Sequence, residues 1–191
     1  MKILAISGSP RQGGNTVILL QKALDVLAAR GFETELISLA GRNILPCLAC
    51  GGCRNAETPA CVQKNDDFHP ILEKILAADG LLIGSPVYFG SATPNIMALL
   101  DRVGYVCRPK DLLARKVGAS VVVARRAGQN FTFAQLNYFF LISNMIVPGS
   151  SYWNIAFGLE KGGVETDAEG LATVRTLAEN MGWLLEKIHA E

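Results

Sequence analysis

The chain has 191 residues, half of them apolar and 18% charged, with 18 Lys and Arg set against 17 Asp and Glu. That length and composition suit a single globular domain that buries its core without disulfides or an obligatory metal, and a net charge of +1 argues against a nucleic-acid or membrane partner recognised by bulk charge. No segment approaches the roughly 18 apolar residues of a membrane span, and the first apolar run is shorter than the about 7–15 residues of a signal-peptide core. A cytoplasmic, reducing location is expected, where clustered cysteines serve metals or redox chemistry rather than disulfides.

"KILAIS" (2–7) reads as a short buried strand stopped by Gly and Pro. Asn15 stands where it can cap a helix running to about Arg30, with Leu20, Leu24 and Leu27 on one face and Gly31 as its stop. "FETELISL" (32–39) gives a second strand, and a cysteine-rich loop at about 44–65 follows it. Asp66 and Asp67 offer N-cap chemistry to a helix in which Ile71, Leu72, Ile75 and Leu76 form an apolar stripe. "GLLIG" (80–84) is a fully buried strand, and Thr93 with Pro94 opens the next helix. "KVGASVVVA" (116–124) is the strongest strand pattern, followed by a helix over 131–144 and a strand at "MIV" (145–147). The stretch 148–167 is too long for a plain loop and suits a lid or a subunit contact. Leu171, Val174, Ala178, Met181, Leu185 and Ile188 step by three or four residues and mark a closing helix.

Strands alternating with helices specify an α/β fold with a parallel sheet covered on both faces. Five strands fit a doubly wound, flavodoxin-like sheet of order 2-1-3-4-5 in three layers, with the whole chain, 1–191, as one domain. In that topology a ligand sits beyond the carboxyl ends of the strands, at the switch point between strands 1 and 3. The loops after strands 1, 3 and 4 are the ones to read for chemistry.

"SGSPRQGGNT" (7–16) follows strand 1 and offers Ser9, Arg11, Gly14, Asn15 and Thr16. Small residues let backbone N–H groups approach an anion, the helix N-terminus adds partial positive charge, and Arg11 serves as a charged clamp. The spacing matches neither G-x-x-x-x-G-K-[ST] nor G-x-G-x-x-G. A receiver domain is excluded because Ser7 and Ser85 stand where it needs acidic residues, and a small phosphatase of this fold because the first loop lacks a cysteine.

"GSPVYFGSATP" (84–94) places Pro86, Val87, Tyr88, Phe89 and Gly90 after strand 3, an aromatic wall with free backbone groups that suits a flat ligand. "ARRAGQN" (124–130) after strand 4 brings Arg125, Arg126, Gly128 and Gln129 to the same rim. An arginine there would raise the potential of a flavin by stabilising charge near N1.

Cys47, Cys50, Cys53 and Cys61 form C-x2-C-x2-C-x7-C, while Cys107 lies outside the pattern and reads as a buried structural thiol. Three thiolates at two-residue gaps suit one cubane, as in the ferredoxin run. Zinc more often uses two separated C-x2-C pairs. A [4Fe–4S] cluster, a redox-active thiol loop and a zinc site are the three readings.

The first loop, the stretch from Asp66 to Gly104 and the cysteine run together resemble the NADPH-dependent FMN reductase group of flavodoxin-like proteins, and within it the iron-sulfur flavoproteins. The resemblance is strong to about Val106 and looser beyond. It implies an FMN phosphate held by Ser9, Arg11, Asn15 and Thr16, and an isoalloxazine lined by Pro86 to Gly90. Contacts from Arg125 to Gln129 follow less closely, because the family carries a more glycine-rich segment there. It also implies a [4Fe–4S] cluster on the four cysteines, meeting a flavin across subunits of a homodimer or homotetramer. The activity expected is electron transfer from a donor such as ferredoxin or NAD(P)H to a small-molecule acceptor, with the flavin carrying the chemistry and no side chain acting as acid or base. The alternatives are a cluster-free NAD(P)H-dependent FMN or quinone reductase and a zinc-stabilised binding module without turnover.

Overall fold

A computed structural model describes residues 1–54 and 56–190; Asn55, inside the cysteine-rich loop, and Glu191 lie outside the described residues. The elements run β1 (Lys2–Ser7), α1 (Asn15–Ala29), β2 (Glu33–Ser38), α2 (Phe68–Ala77), β3 (Gly80–Pro86), α3 (Pro94–Cys107), β4 (Val117–Ala124), α4 (Gln129–Ile142), β5 (Ile155–Phe157) and α5 (Ala168–Ile188). The sheet is parallel with order β2-β1-β3-β4-β5, as the alternation of elements predicts. Both faces of the central strands are covered, so their side chains divide by parity. Leu4 and Ile6 of β1 join Ile71, Leu99, Val103 and Leu136 in a core under α2, α3 and α4. Ile3 and Ala5 join Leu20, Leu27, Val174 and Met181 in a second core under α1 and α5.

Four local expectations are corrected. The "MIV" segment is not the fifth strand. Ile146 makes a single bridge to Val117, and regular pairing resumes only at Ile155 against Val122. Pro148 has no N–H to give the ladder, so the edge leaves β4 there and returns through Asn154, whose carbonyl accepts from Val122 N–H at 2.9 Å. The stretch read as a lid or contact therefore contains the true edge strand.

Asn15 does not cap α1. Gly14 takes the N-cap position, and the Asn15 side chain is engaged elsewhere. Asp67 occupies the N-cap of α2 without a side-chain cap bond, because its carboxylate accepts from Asn43 N–H at 2.8 Å. The helix placed over 131–144 begins and ends two residues earlier.

Close approach positions the ligand-bearing end of the sheet. A Cβ on Gly84 would fall 2.8 Å from Thr16 Cγ2 and 2.9 Å from Leu20 Cδ1, so the bare Cα is what lets α1 lie against β3. Gly84→Ala is expected to cost about 1–3 kcal/mol, the usual range for overpacking a filled core. It should appear as a lower denaturation midpoint, and an unchanged midpoint would show that α1 has slack here.

Candidate functional site

β1 ends in mid-sheet, and the next residues must lift the chain into α1. Ser9 N–H donates to Ser7 Oγ at 3.3 Å, Arg11 N–H to Ser9 Oγ at 3.2 Å, and Gly14 N–H to the Arg11 carbonyl at 3.2 Å. Gly13 has φ +59°, which a residue with a Cβ adopts only with strain. Ser9, Gly14, Asn15 and Thr16 are buried and Arg11 is exposed. The loop is fastened to its neighbours: Gly8 N–H donates to the Gly84 carbonyl at 2.8 Å, and Thr93 Oγ1 to the Gly8 carbonyl at 2.7 Å. The first loop and the start of α3 thus share one rim.

Two side chains expected at a phosphate instead hold a second segment in place. Asn15 Nδ2 donates to the Glu160 carbonyl at 2.8 Å, its Oδ1 accepts from Gly162 N–H at 2.8 Å, and Arg11 Nη1 donates to the Leu159 carbonyl at 3.2 Å. This strap sets Lys161 Nζ 3.3 Å from where a Cβ of Gly13 would stand. Lys161 is therefore a cation at the anion-binding loop that sequence reading missed. It lies about 150 residues from that loop, and the hydrogen bonds of Asn15 and Arg11 tie the two together.

The loops after β3 and β4 also meet. Tyr88 and Ser91 exchange backbone hydrogen bonds of 2.8 and 3.0 Å around Phe89 and Gly90, both at positive φ, the shape of a tight two-residue hairpin turn. Phe89 stands fully in solvent at the tip. Gln135 Oε1 on α4 accepts from Ala92 N–H at 2.9 Å and from Ser91 Oγ at 3.1 Å, which fixes the turn. Gly128 has φ +86°, and a Cβ there would come 3.0 Å from both Gly90 Cα and Val87 Cγ1. Pro86 to Gly90 and Gly128 are brought together; Arg125 and Arg126 are both exposed beside them. Beside the end of β5 a cavity of about 230 Å³ is lined by Gln129, Tyr152, Trp153 and Asp167 among others. The buried Gln129 Oε1 has no partner, another feature that sequence gave no means to see.

The cysteine-rich loop leaves β2 and packs along α3. Cys47, Cys50, Cys53 and Cys61 line one cavity of about 20 Å³ together with Arg102, Tyr105 and Val106. Cys53 Sγ approaches the Tyr105 carbonyl at 3.4 Å. Burial raises the Cys53 thiol above its ordinary pKa, and Cys61, Cys47 and Cys50 push the same way by charge. Among the described residues no three Cys, His, Asp or Glu side chains stand at metal-ligating separation. The donor set nonetheless fits a thiolate-bound centre. All four cysteines line one cavity, together with Leu48 and Val62, which are exposed and belong to neither core. Cys107 is buried, as expected, and burial pushes its pKa up to about 11, so it stays a protonated core thiol.

Arg102 anchors this loop. Its side chain is fully buried and ion-paired with the equally buried Asp66. It also donates to the Leu45 carbonyl at 3.1 Å and the Gln63 carbonyl at 3.2 Å, with its guanidinium carbon 3.9 Å from the centre of the Phe68 ring. Burial acts to lift Asp66, but the Arg102 hydrogen bond, the Leu45 N–H and the Arg102 charge outweigh it and hold the carboxylate below its ordinary value.

A parallel 2-1-3-4-5 sheet with loops converging beyond the ends of β1, β3 and β4 defines a flavodoxin-like protein. The flavodoxin, WrbA-like protein from Agrobacterium tumefaciens superposes with a TM-score of 0.69 at 13% identity, covering 97% of each chain, which supports that fold. The sequence model of NADPH-dependent FMN reductases matches residues 1–160. An iron-sulfur flavoprotein of Methanocaldococcus jannaschii is 38% identical over 98% of this chain and 99% of its own length. An iron-sulfur flavoprotein of Methanosarcina thermophila is 38% identical over 98% and 97%. The chain belongs to the NADPH-dependent FMN reductase family and is an FMN-dependent flavoprotein oxidoreductase. Among the described residues no helix is long and apolar enough to cross a membrane.

Asn15→Ala removes both side-chain bonds to the strap, worth about 0.5–1.5 kcal/mol each. Trypsin is expected to cut after Lys161 several-fold faster in this variant than in the parent. Equal rates would show that Asn15 does not hold the segment.

Proposed function

We propose that the protein is an iron-sulfur flavoprotein that passes electrons between a [4Fe–4S] cluster and FMN, taking them from a carrier such as ferredoxin and delivering them to a small acceptor. The observation that carries the cluster part is the convergence of all four cysteines of C-x2-C-x2-C-x7-C on one cavity backed by a buried arginine. The names of the full-length relatives support it.

The hydroxyls of Ser9 and Thr16 and the first amides of α1 hold the FMN phosphate, Gly14 leaves room for it, Arg11 and Lys161 supply positive charge, and Asn15 keeps Lys161 in reach. Pro86, Val87, Tyr88, Phe89 and Gly90 line one face of the ring, Gly128 closes its edge, and Arg125 offers charge from the strand-4 loop. Bound flavin supplies two-electron and one-electron chemistry, and the bound cluster supplies one-electron chemistry; the protein positions them and excludes water.

Assembly is part of this reading. α3 starts at the rim, and at 1.5 Å per residue Arg102 and Tyr105 lie roughly 12–16 Å further along its axis, so the thiol cavity sits well away from the chain's own flavin rim. Tyr105 lines both that cavity and an adjoining groove of about 910 Å³ between α3 and α4, whose walls include Met97, Leu100, Phe139 and Ile142. Tyr138, Leu141 and Ile142 expose their apolar surface there. A second copy of the chain seated in this groove would bring a flavin rim toward the thiols, as a homodimer or within a homotetramer.

The family description favours a second reading: a cluster-free reductase in which hydride passes from a nicotinamide to the flavin. Anaerobic purification followed by iron and sulfide analysis separates the two. About four of each per chain, lost in Cys50→Ser, is the expected result; full flavin with no iron or sulfide after anaerobic reconstitution selects the reductase.

The flavin site has its own test. Lys161→Met is expected to weaken FMN binding by up to about tenfold, near 1.4 kcal/mol, while riboflavin, which lacks the phosphate, binds equally to both proteins. Equal FMN affinities would remove Lys161 from the phosphate site.

A further inference from the structure

We infer that Arg102 is a positioning residue for the thiolate centre, its Nε–H being a buried hydrogen-bond donor held ready for a sulfur of the thiol cavity that it lines. The inference rests on the cluster reading above and goes beyond it by naming a residue, outside the cysteines, that sets the electronic state of the centre.

The guanidinium is used completely except at one atom. Nη1 donates to the Leu45 carbonyl and to Asp66 Oδ2, and Nη2 to the Gln63 carbonyl and, at 3.4 Å, to Asp66 Oδ1. The Nε is buried and has no partner among the described residues. Proteins rarely leave a buried N–H of a charged group unmet. Arg102 lines the same cavity as the four cysteines. A protonated thiol is a poor acceptor and a thiolate a good one. The unmet Nε–H therefore finds its partner when a cysteine of that cavity carries negative charge, as it does when ligated.

Hydrogen bonds to ligating sulfurs tune metal centres, because they stabilise the more negative state and so raise the reduction potential. The ion pair with Asp66 serves a separate purpose. It fixes the guanidinium plane, and the carbonyl bonds of Leu45 and Gln63 fix both ends of the loop, so the direction of Nε is set in advance.

Arg102→Lys separates donor from clasp. A lysine ammonium keeps the charge opposite Asp66 but has no second nitrogen to offer a sulfur of the cavity. Asp66→Asn is the complement: it removes the carboxylate charge, while the Asn oxygen and the Leu45 and Gln63 carbonyls still hold the guanidinium and its Nε. Both full-length variants and the parent are reconstituted anaerobically, with FMN uptake and near-ultraviolet circular dichroism reporting folding. Iron content and an EPR-monitored redox titration of the cluster report the site. Arg102→Lys should bind FMN like the parent and show an altered cluster EPR signal. Its cluster potential should move negative by about a tenfold change in the reduction equilibrium, about 59 mV for one electron. Asp66→Asn, having lost a nearby negative charge, should show no negative shift.

A folded Arg102→Lys protein with the parent's potential and EPR signal overturns the inference. A similar negative shift in both variants also overturns it, because the effect would then belong to the loop clasp. A parent that takes up FMN but no iron under the same conditions overturns the cluster reading itself, and the inference with it.

Discussion

The cysteine-rich region has little apolar surface to hold it in place, and its shape depends on one buried ion pair. Arg102 reaches from α3 into the neck of the loop, where it binds the Leu45 and Gln63 carbonyls as well as Asp66. Asp66 in turn accepts from Leu45 N–H at 2.8 Å and Phe68 N–H at 3.3 Å. Two charges taken out of water are costly, and only good geometry with further hydrogen bonds compensates. Here most donors and acceptors are used, and the Phe68 ring lies under the guanidinium. Losing one member of such a pair typically costs about 3–5 kcal/mol, comparable with the stability of a small domain, so the clasp behaves as a structural requirement of the thiol cavity. A hydrophobic pair of similar volume would hold the loop as tightly, but it would offer nothing to a sulfur.

The flavin rim is built on a different physical basis. It depends on close approach rather than on charge. Gly8 leaves no room for a Cβ beside Ile96 and Thr93, Gly84 leaves none beside α1, and Gly128 lies on Gly90. Bare Cα positions let three loops from separate strands pack at backbone distance. Charge comes last, from Arg11 and Lys161, which are tied together through the strap.

The difference between these two constructions explains what could be read from the sequence. Fold class, strand order and the convergence of the loops after β1, β3 and β4 were legible, because periodicity and glycine placement are local signals. The fifth strand was misplaced because "MIV" has better strand character than "IAF". Pro148 and the pairing of Asn154 with β4 decided the outcome, and both act through the sheet rather than the segment. Asn15 looked like a cap by the same local logic, and a contact 145 residues away claimed its side chain. Asp66 looked like a cap as well, and a partner on α3 gave it a larger role. Lys161 and Arg102 carried no local signal. Each matters only through what the tertiary fold sets beside it.

The thiol loop and the rim at the ends of β1, β3 and β4 also differ in how they tolerate change. The rim is packed into both cores through α1 and α3, so altering it disturbs the sheet. The cysteine loop follows the edge strand β2 and touches the body of the protein chiefly through α3 and the clasp. Among the described residues, none of the bonds that hold the first loop passes through residues 44–65, so a cysteine lost there leaves that loop in place. Retaining a buried arginine with an unmet Nε–H is harder to explain on those terms. In a loop kept only for its shape that atom would be a standing cost, which an apolar replacement of the ion pair would remove. Its presence beside four converging thiols is what a site evolved to hold negative sulfur would carry.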